Sequence, residues 1–204
     1  MSALPSKMTT PSDIAFTPTV KAIQQQKGSR RAYERMEQSG GWATEIDENL
    51  AGFIAGQRSF YLATSNLEGQ PYIQHRGGPR GFLRVLGPRT LAFADVGGNR
   101  QYISVGNLTD NPRVCLFLMD YAHRQRVKVW GTAKVIEDDP ALLAKLAMPG
   151  GGKPERAIVI DVATWDANCP KYIPVMLEAE LVKELLDEKD QRIAELEAQL
   201  RKRG

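Results

Sequence analysis

Gln74-His75-Arg76-Gly77-Gly78-Pro79-Arg80-Gly81 closes one strand-like run of this chain. Gly97-Gly98-Asn99-Arg100-Gln101-Tyr102-Ile103-Ser104-Val105-Gly106-Asn107 separates two more. Around these clusters the sequence reads as short strands joined by tight turns. Ser59–Thr64 is aromatic and apolar, Asn66–Gln70 is a turn with Gly69 near its end, and Pro71–Arg76 returns. Phe82–Leu86 and Thr90–Ala94 flank Gly87-Pro88-Arg89, a hairpin connection. Arg113–Met119 and Gln125–Ile136 form another pair across Asp120–Arg124, and Arg156–Trp165 is a last strand. Hairpin-linked strands with few helices between them predict a mostly β (β+α) protein built on an antiparallel barrel. No G-x-G-x-x-G or Walker run lies where a strand meets a helix, which argues against a Rossmann sheet.

The helices are few. Asp47–Ala55 places Leu50, Phe53 and Ile54 on one face. A short helix is expected from Arg100 to about Thr109, capped by the Asn99 side chain and ended at Asn111-Pro112. Another is expected over Asp138–Met148, stopped by Pro149 and three glycines. Residues 1–40 read as a polar N-terminal arm that wraps a partner or stays mobile, residues 41–175 as the barrel domain, and residues 176–204 as a C-terminal helical extension. In that tail Val182, Leu186, Lys189, Ile193, Leu196 and Leu200 are spaced alternately by four and three. This seam suits either a short coiled coil or a helix whose stripe packs on its own domain.

The chain has 204 residues, 25% of them charged, and a net charge of +3. That balance suits an anionic small ligand and gives no reason to expect nucleic acid. No apolar run nears the roughly 18 residues of a membrane span, and prolines and charges interrupt the N-terminus. A cytoplasmic protein is expected. Two cysteines, Cys115 and Cys169, make neither a disulfide framework nor a zinc set. Cys115 lies in an apolar run and reads as a buried small hydrophobe in a reducing compartment.

The polar clusters carry the chemistry. Arginine, asparagine, serine and glycine near strand ends and a helix start supply what a phosphate monoester needs: cations, neutral donors and an approachable backbone. On Pro71–Arg76 side chains alternate, so Tyr72, Gln74 and Arg76 share a face while Ile73 and His75 take the other. His75 reaches a ligand on the first face only if the strand breaks at Gly77-Gly78; otherwise it is a core or interface histidine. Arg124, Arg126, Lys128 and Trp130 share a face of the later strand. They form a solvated outer face, or they join Arg76 and Arg100 around an anion. Asn168 and Cys169 sit on a turn fixed by Pro170, within reach of a flat aromatic ligand. No partner base marks Cys169 as a nucleophile.

These segments together resemble the pyridoxamine 5'-phosphate oxidase-like flavoproteins over about residues 46–173, in a subgroup of flavin-nucleotide-binding proteins. The carriers are Gln74 through Leu83, Leu91 through Asp95, Gly98 through Ser104, Asn111 through Val114, Arg126 through Gly131, and Trp165 through Lys171. The resemblance implies a split β-barrel homodimer with FMN at the subunit interface. It implies cofactor contacts from Gln74, His75, Arg76, Gly77, Asn99, Arg100, Ser104, Arg126, Lys128, Asn168 and Cys169, and no metal. It also implies oxidation or reduction of a small-molecule substrate or electron donor. The lysine-bearing strand and C-terminal motifs of the true oxidases are replaced here, which puts pyridoxamine phosphate oxidation in doubt. The competing expectations are a non-catalytic flavin carrier or sensor whose helical tail binds a partner, or the same fold holding deazaflavin or haem.

Overall fold

A computed structural model of the chain describes residues 9–150, 152–167 and 170–202. It divides into two units, residues 1–119 with 126–169, and residues 120–125 with 170–204.

The first unit opens with a one-turn 3-10 helix, Pro11–Ile14, then α1 (Pro18–Gln26) and α2 (Arg30–Gln38). Their polarity is internally paired. Lys21 reaches Asp13 at 2.6 Å, and Arg30 binds Gln24 at 2.7 Å, Glu34 at 3.1 Å and also Glu37. Burial alone would raise the Asp13 pKa, but Lys21 and the Thr9 and Thr10 amides pull it far below the usual carboxylate range. Aromatic rings fix the arm. Phe16 lies 5.1 Å from Tyr33 and 5.2 Å from Trp42, and Trp42 stacks on Trp130 at 4.9 Å. The carbonyls of Ala43 and Glu45 accept hydrogen bonds from Thr164 and the Trp165 indole, each 2.8 Å.

Helix α3 (Glu48–Ala55) follows, capped by the Asp47 side chain, which accepts from the Leu50 amide at 2.7 Å. Strands β1 (Ser59–Ser65), β2 (Pro71–Gly77), β3 (Arg84–Gly87) and β4 (Thr90–Val96) come next, then α4 (Ile103–Asp110). Strands β5 (Arg113–Asp120) and β6 (Gln125–Ile136), helix α5 (Pro140–Leu146) and strand β7 (Pro154–Ala167) complete the sheet. Its order is β2-β1-β5-β6-β7-β4-β3, antiparallel and unclosed, with β2 and β3 as edges. This is the expected split barrel. Phe60, Leu62, Leu91, Phe93, Leu116, Leu118, Val129, Ile158 and Ile160 fill the core under α3, and Leu146 of α5 packs with Ala92 and Ala157 in a second cluster.

One backbone contact marks an irregularity between β6 and β7. The β6–β7 register shifts at Trp130/Gly131, and a Cβ on Gly131 would sit 2.1 Å from the Asp161 carbonyl oxygen. Only glycine permits that approach.

Three sequence expectations change. Helix α4 begins at Ile103 and not at Arg100, and its N-cap is Tyr102, with φ of 54°. The Asn99 side chain accepts instead from the Gln101 amide at 3.2 Å, closing a local turn. Arg124 is not on the β6 face; it lies in the turn before it with φ of 55°. Cys115 is half-buried on the side of β5 opposite Leu116, because strand alternation turns it out of the core.

In the second unit Arg124 donates to the carbonyls of Ile173 at 3.2 Å and Pro170 at 3.3 Å, and His123 bonds Asp120 at 2.8 Å. Helix α6 (Ala179–Arg201) runs 23 residues and buries none of them.

Candidate functional site

The β1–β2 register sorts the predicted site residues. Phe60 pairs with Arg76, Leu62 with Gln74 and Thr64 with Tyr72. Since Phe60, Leu62 and Thr64 are buried, Tyr72, Gln74 and Arg76 face the barrel interior at its open edge. Strand β2 runs unbroken through Gly77, so His75 stays on the outer face, its ring edge against Tyr61 at 5.7 Å. Gly77 leaves room for that ring: a Cβ there would lie 3.0 Å from the His75 Cε1.

Beyond the inner face of β2 a cleft of about 240 Å³ opens toward the end of β4, the loop before α4, the first turn of α4 and the start of β7. Gln74, Arg76, Asn99, Arg100 and Ser104 all line it. Ser104 donates to the Gln74 side-chain oxygen at 2.7 Å, tying α4 to β2. Farther along, Asn107 donates to Thr64 and Asn111 to Ser65, each 2.9 Å. These contacts set where the N-terminus of α4 points.

The charged floor of the cleft was not foreseen. Asp95, 6% exposed, binds Arg76 through one oxygen and Arg156 through the other. Arg156 also reaches Glu137 at 2.9 Å and Glu155 at 3.1 Å, and lies 5.3 Å over the Tyr102 ring. Glu137, then Asp95, hold its guanidinium above an already high ordinary value. Arg156 is therefore neutralised, whereas Arg76 keeps a buried Nε with no partner. Arg100 is exposed and makes no ion pair among the described residues. The sequence did hold one clue: Asp95 continues the inward alternation of Leu91 and Phe93.

The later cations lie elsewhere in the same chain. Val127 and Val129 join the core, so Arg126, Lys128 and Trp130 project from the opposite face of β6. The sheet thus separates Arg126, Lys128 and His75 from the cleft. Arg126 keeps a buried Nε without a partner, and Lys128 acts on Cys115. Burial pushes the Cys115 thiol up to about 11, with Lys128 pulling the other way. Asn168 and Cys169 lie outside the described residues.

An uncommitted guanidinium, a half-used one and an asparagine amide make a donor set for a phosphate-bearing ligand, while the Ser104 hydroxyl has already given its one proton to Gln74. The orphaned Arg76 Nε fits that reading, because a buried donor costs free energy until it is paired.

Comparison with known proteins agrees with this architecture. No curated protein matches the chain. Among solved structures it is similar to the tagged HupZ protein of Group A Streptococcus, at 22% identity and a TM-score of 0.50, over 60% of this chain and 93% of that one. An FMN-binding protein from Syntrophomonas wolfei is similar at 12% identity and a TM-score of 0.50, over 76% of this chain and 99% of that one. Both likenesses are of fold. The family model described as pyridoxamine 5'-phosphate oxidase matches residues 46–169. This span takes in α3, every strand of the barrel and the whole cleft, and the chain belongs to the pyridoxamine 5'-phosphate oxidase family.

Proposed function

We propose that this protein is an FMN-dependent oxidoreductase, active in the cytoplasm as a homodimer on a small-molecule substrate or electron donor. The observation that carries the reading is the cleft in which, among the described residues, Arg100 has no ion pair and the buried Arg76 Nε has no partner. Arg100, the Asn99 amide and the backbone amides at the start of α4 would hold the phosphate of FMN, and Gln74, Arg76 and Ser104 would border the remainder. Bound FMN supplies hydride and electron transfer at its isoalloxazine ring. The chain's own part is electrostatic and positional. Asp95 fixes the Arg76 guanidinium, the Ser104–Gln74 bond fixes α4 against β2, and the ring of Tyr102 under Arg156 fixes the intervening loop.

Two features support the homodimer. About 240 Å³ is below the roughly 300–1,000 Å³ of a complete small-molecule site, so one chain walls only part of an FMN. The outer sheet face also leaves Ile73 64% and Tyr61 39% exposed, beside the His75 ring. Apolar exposure on a sheet face suits a subunit contact, and it would bring Arg126 and Lys128 of one subunit toward its partner.

A second reading is a flavin carrier or sensor without turnover. The fully exposed α6 favours it, since an unburied helix suits partner binding.

Mass analysis of the ligand released by heating purified protein tests the cofactor, and FMN is expected. Recovery of FAD alone, of a deazaflavin or of haem would sink the reading. Oxidation of reduced nicotinamide by the loaded protein in air separates the enzyme from the carrier.

A further inference from the structure

Helix α6, in the second unit, is the longest helix among the described residues. No residue of α6 is buried, and Val182, Leu186, Ile193, Leu196 and Leu200 stand 36–69% exposed along one side. Only with Lys189 included does their spacing alternate four and three. A stripe meant for a fixed support follows the 3.6-residue turn, and a strict seven-residue repeat drifts about 20° per heptad off such a support. From Val182 to Leu200 that drift reaches about 50°, and a helix that supercoils around the stripe follows it throughout.

We propose that α6 pairs with α6 of a second copy as a short, parallel, in-register coiled coil. In heptad terms Leu186, Ile193 and Leu200 are a positions, and Val182, Lys189 and Leu196 are d positions. Charge chooses the orientation. In the parallel pair Arg192, at g, faces Glu197 of the partner subunit, at e. Lys189 enters a hole whose wall includes the partner's Asp190. Both contacts occur twice by symmetry and join opposite charges; the same layer sets Lys189 beside the partner's Lys189, a repulsion that the flanking Asp190 carboxylates offset. An antiparallel pair that keeps the same seam joins Lys183 to the partner's Glu197, but it also sets Asp190 against the partner's Asp190 and Arg192 against the partner's Arg192, so its like pairs cancel its opposite ones. Within its own helix Arg192 holds Glu195 at 2.8 Å, an exposed pair that a carboxylate across the seam replaces at little cost. Lys189 in the seam fixes the register at the expense of stability, the usual role of one polar core residue. The pairing is independent of what the cleft binds.

The test is disulfide trapping in the full-length chain carrying Cys115→Ser and Cys169→Ser. Leu196→Cys places a thiol in the seam, and Gln191→Cys places one on the outer face. Under diamide, Leu196→Cys is expected to form a disulfide-linked dimer at least about tenfold faster, because pairing raises the local thiol concentration. Adding Ile193→Asp is expected to bring that rate down to the Gln191→Cys level. Equal rates for the two cysteine variants would overturn the proposal, and so would a fast Leu196→Cys rate that ignores Ile193→Asp. Preferential coupling of Lys189→Cys with Ile193→Cys in a mixture would overturn the parallel orientation.

Discussion

Arg156 donates to Asp95 across 2.9 Å, linking the start of β7 to the end of β4 beneath the cleft. The other oxygen of Asp95 takes Arg76 from β2, so one carboxylate gathers two cations from different strands. Asp95→Asn keeps the shape and removes the charge. Breaking a largely buried pair leaves its partners uncompensated and costs about 3 kcal/mol. Urea denaturation is expected to show that loss as a lower midpoint with an unchanged slope. An unaltered midpoint would mean that Glu137 and Glu155 suffice for Arg156 and that Arg76 finds water.

Arg100→Ala is expected to weaken FMN far more than riboflavin. A hydrogen bond from an ionised donor to phosphate is worth roughly 1.5–3 kcal/mol, on the order of 10-fold to 150-fold in affinity. Riboflavin has no phosphate and keeps its affinity. Lys128→Ala follows the same pattern only where a partner subunit brings Lys128 to the site, since the sheet sets it apart from the cleft of its own chain. Fluorescence titration of both flavins against both variants measures the ratio. A ratio unchanged in Arg100→Ala would move the phosphate out of the cleft.

Gly131→Ala tests the bulge. The added methyl meets a backbone oxygen and not a pliable side chain, so β6 or β7 has to move. Overpacking typically costs about 1–3 kcal/mol, and the upper end is expected here. Thermal unfolding read by circular dichroism checks it. Gly98→Ala, where a Cβ meets nothing within 4 Å, serves as the tolerant control.

Cys115 is expected to alkylate slowly at pH 8 and to speed up as pH approaches about 11. The sign follows from burial, which disfavours the thiolate in the folded chain. A thiol pKa raised on folding adds stability below its unfolded value, and that stability is lost as pH climbs through the folded one. Lys128→Ala removes a stabilising cation and should slow the reaction further. Iodoacetamide labelling followed by mass spectrometry gives the profile. A fast reaction at neutral pH would contradict the burial.

Much of the barrel was legible because strand alternation is local. Tyr72, Gln74 and Arg76 share a face in the sequence and in the fold, and Leu50 and Ile54 of α3 are buried as their spacing requires. The start of α4 was illegible because local preference lost to a tertiary contact. Asn99 is a good cap, yet Arg156, distant in sequence, stands over Tyr102, and both Arg100 and Tyr102 adopt positive φ. Asp95 and Arg156 escaped notice for a related reason. A lone charge at a strand end looks solvated until the neighbouring strand supplies its counterion.

The hydrogen bond from Trp165 to Glu45 closes a span of 120 residues. Bringing such distant segments together costs loop entropy before any contact repays it. Docking of residues 42–45 is therefore expected late in folding, and stopped-flow tryptophan fluorescence lagging the far-UV circular dichroism signal would show it. The indoles of Trp42, Trp130 and Trp165 all lie on that seam, so tryptophan fluorescence is expected to follow its closure and to say little of the hairpins that form before it.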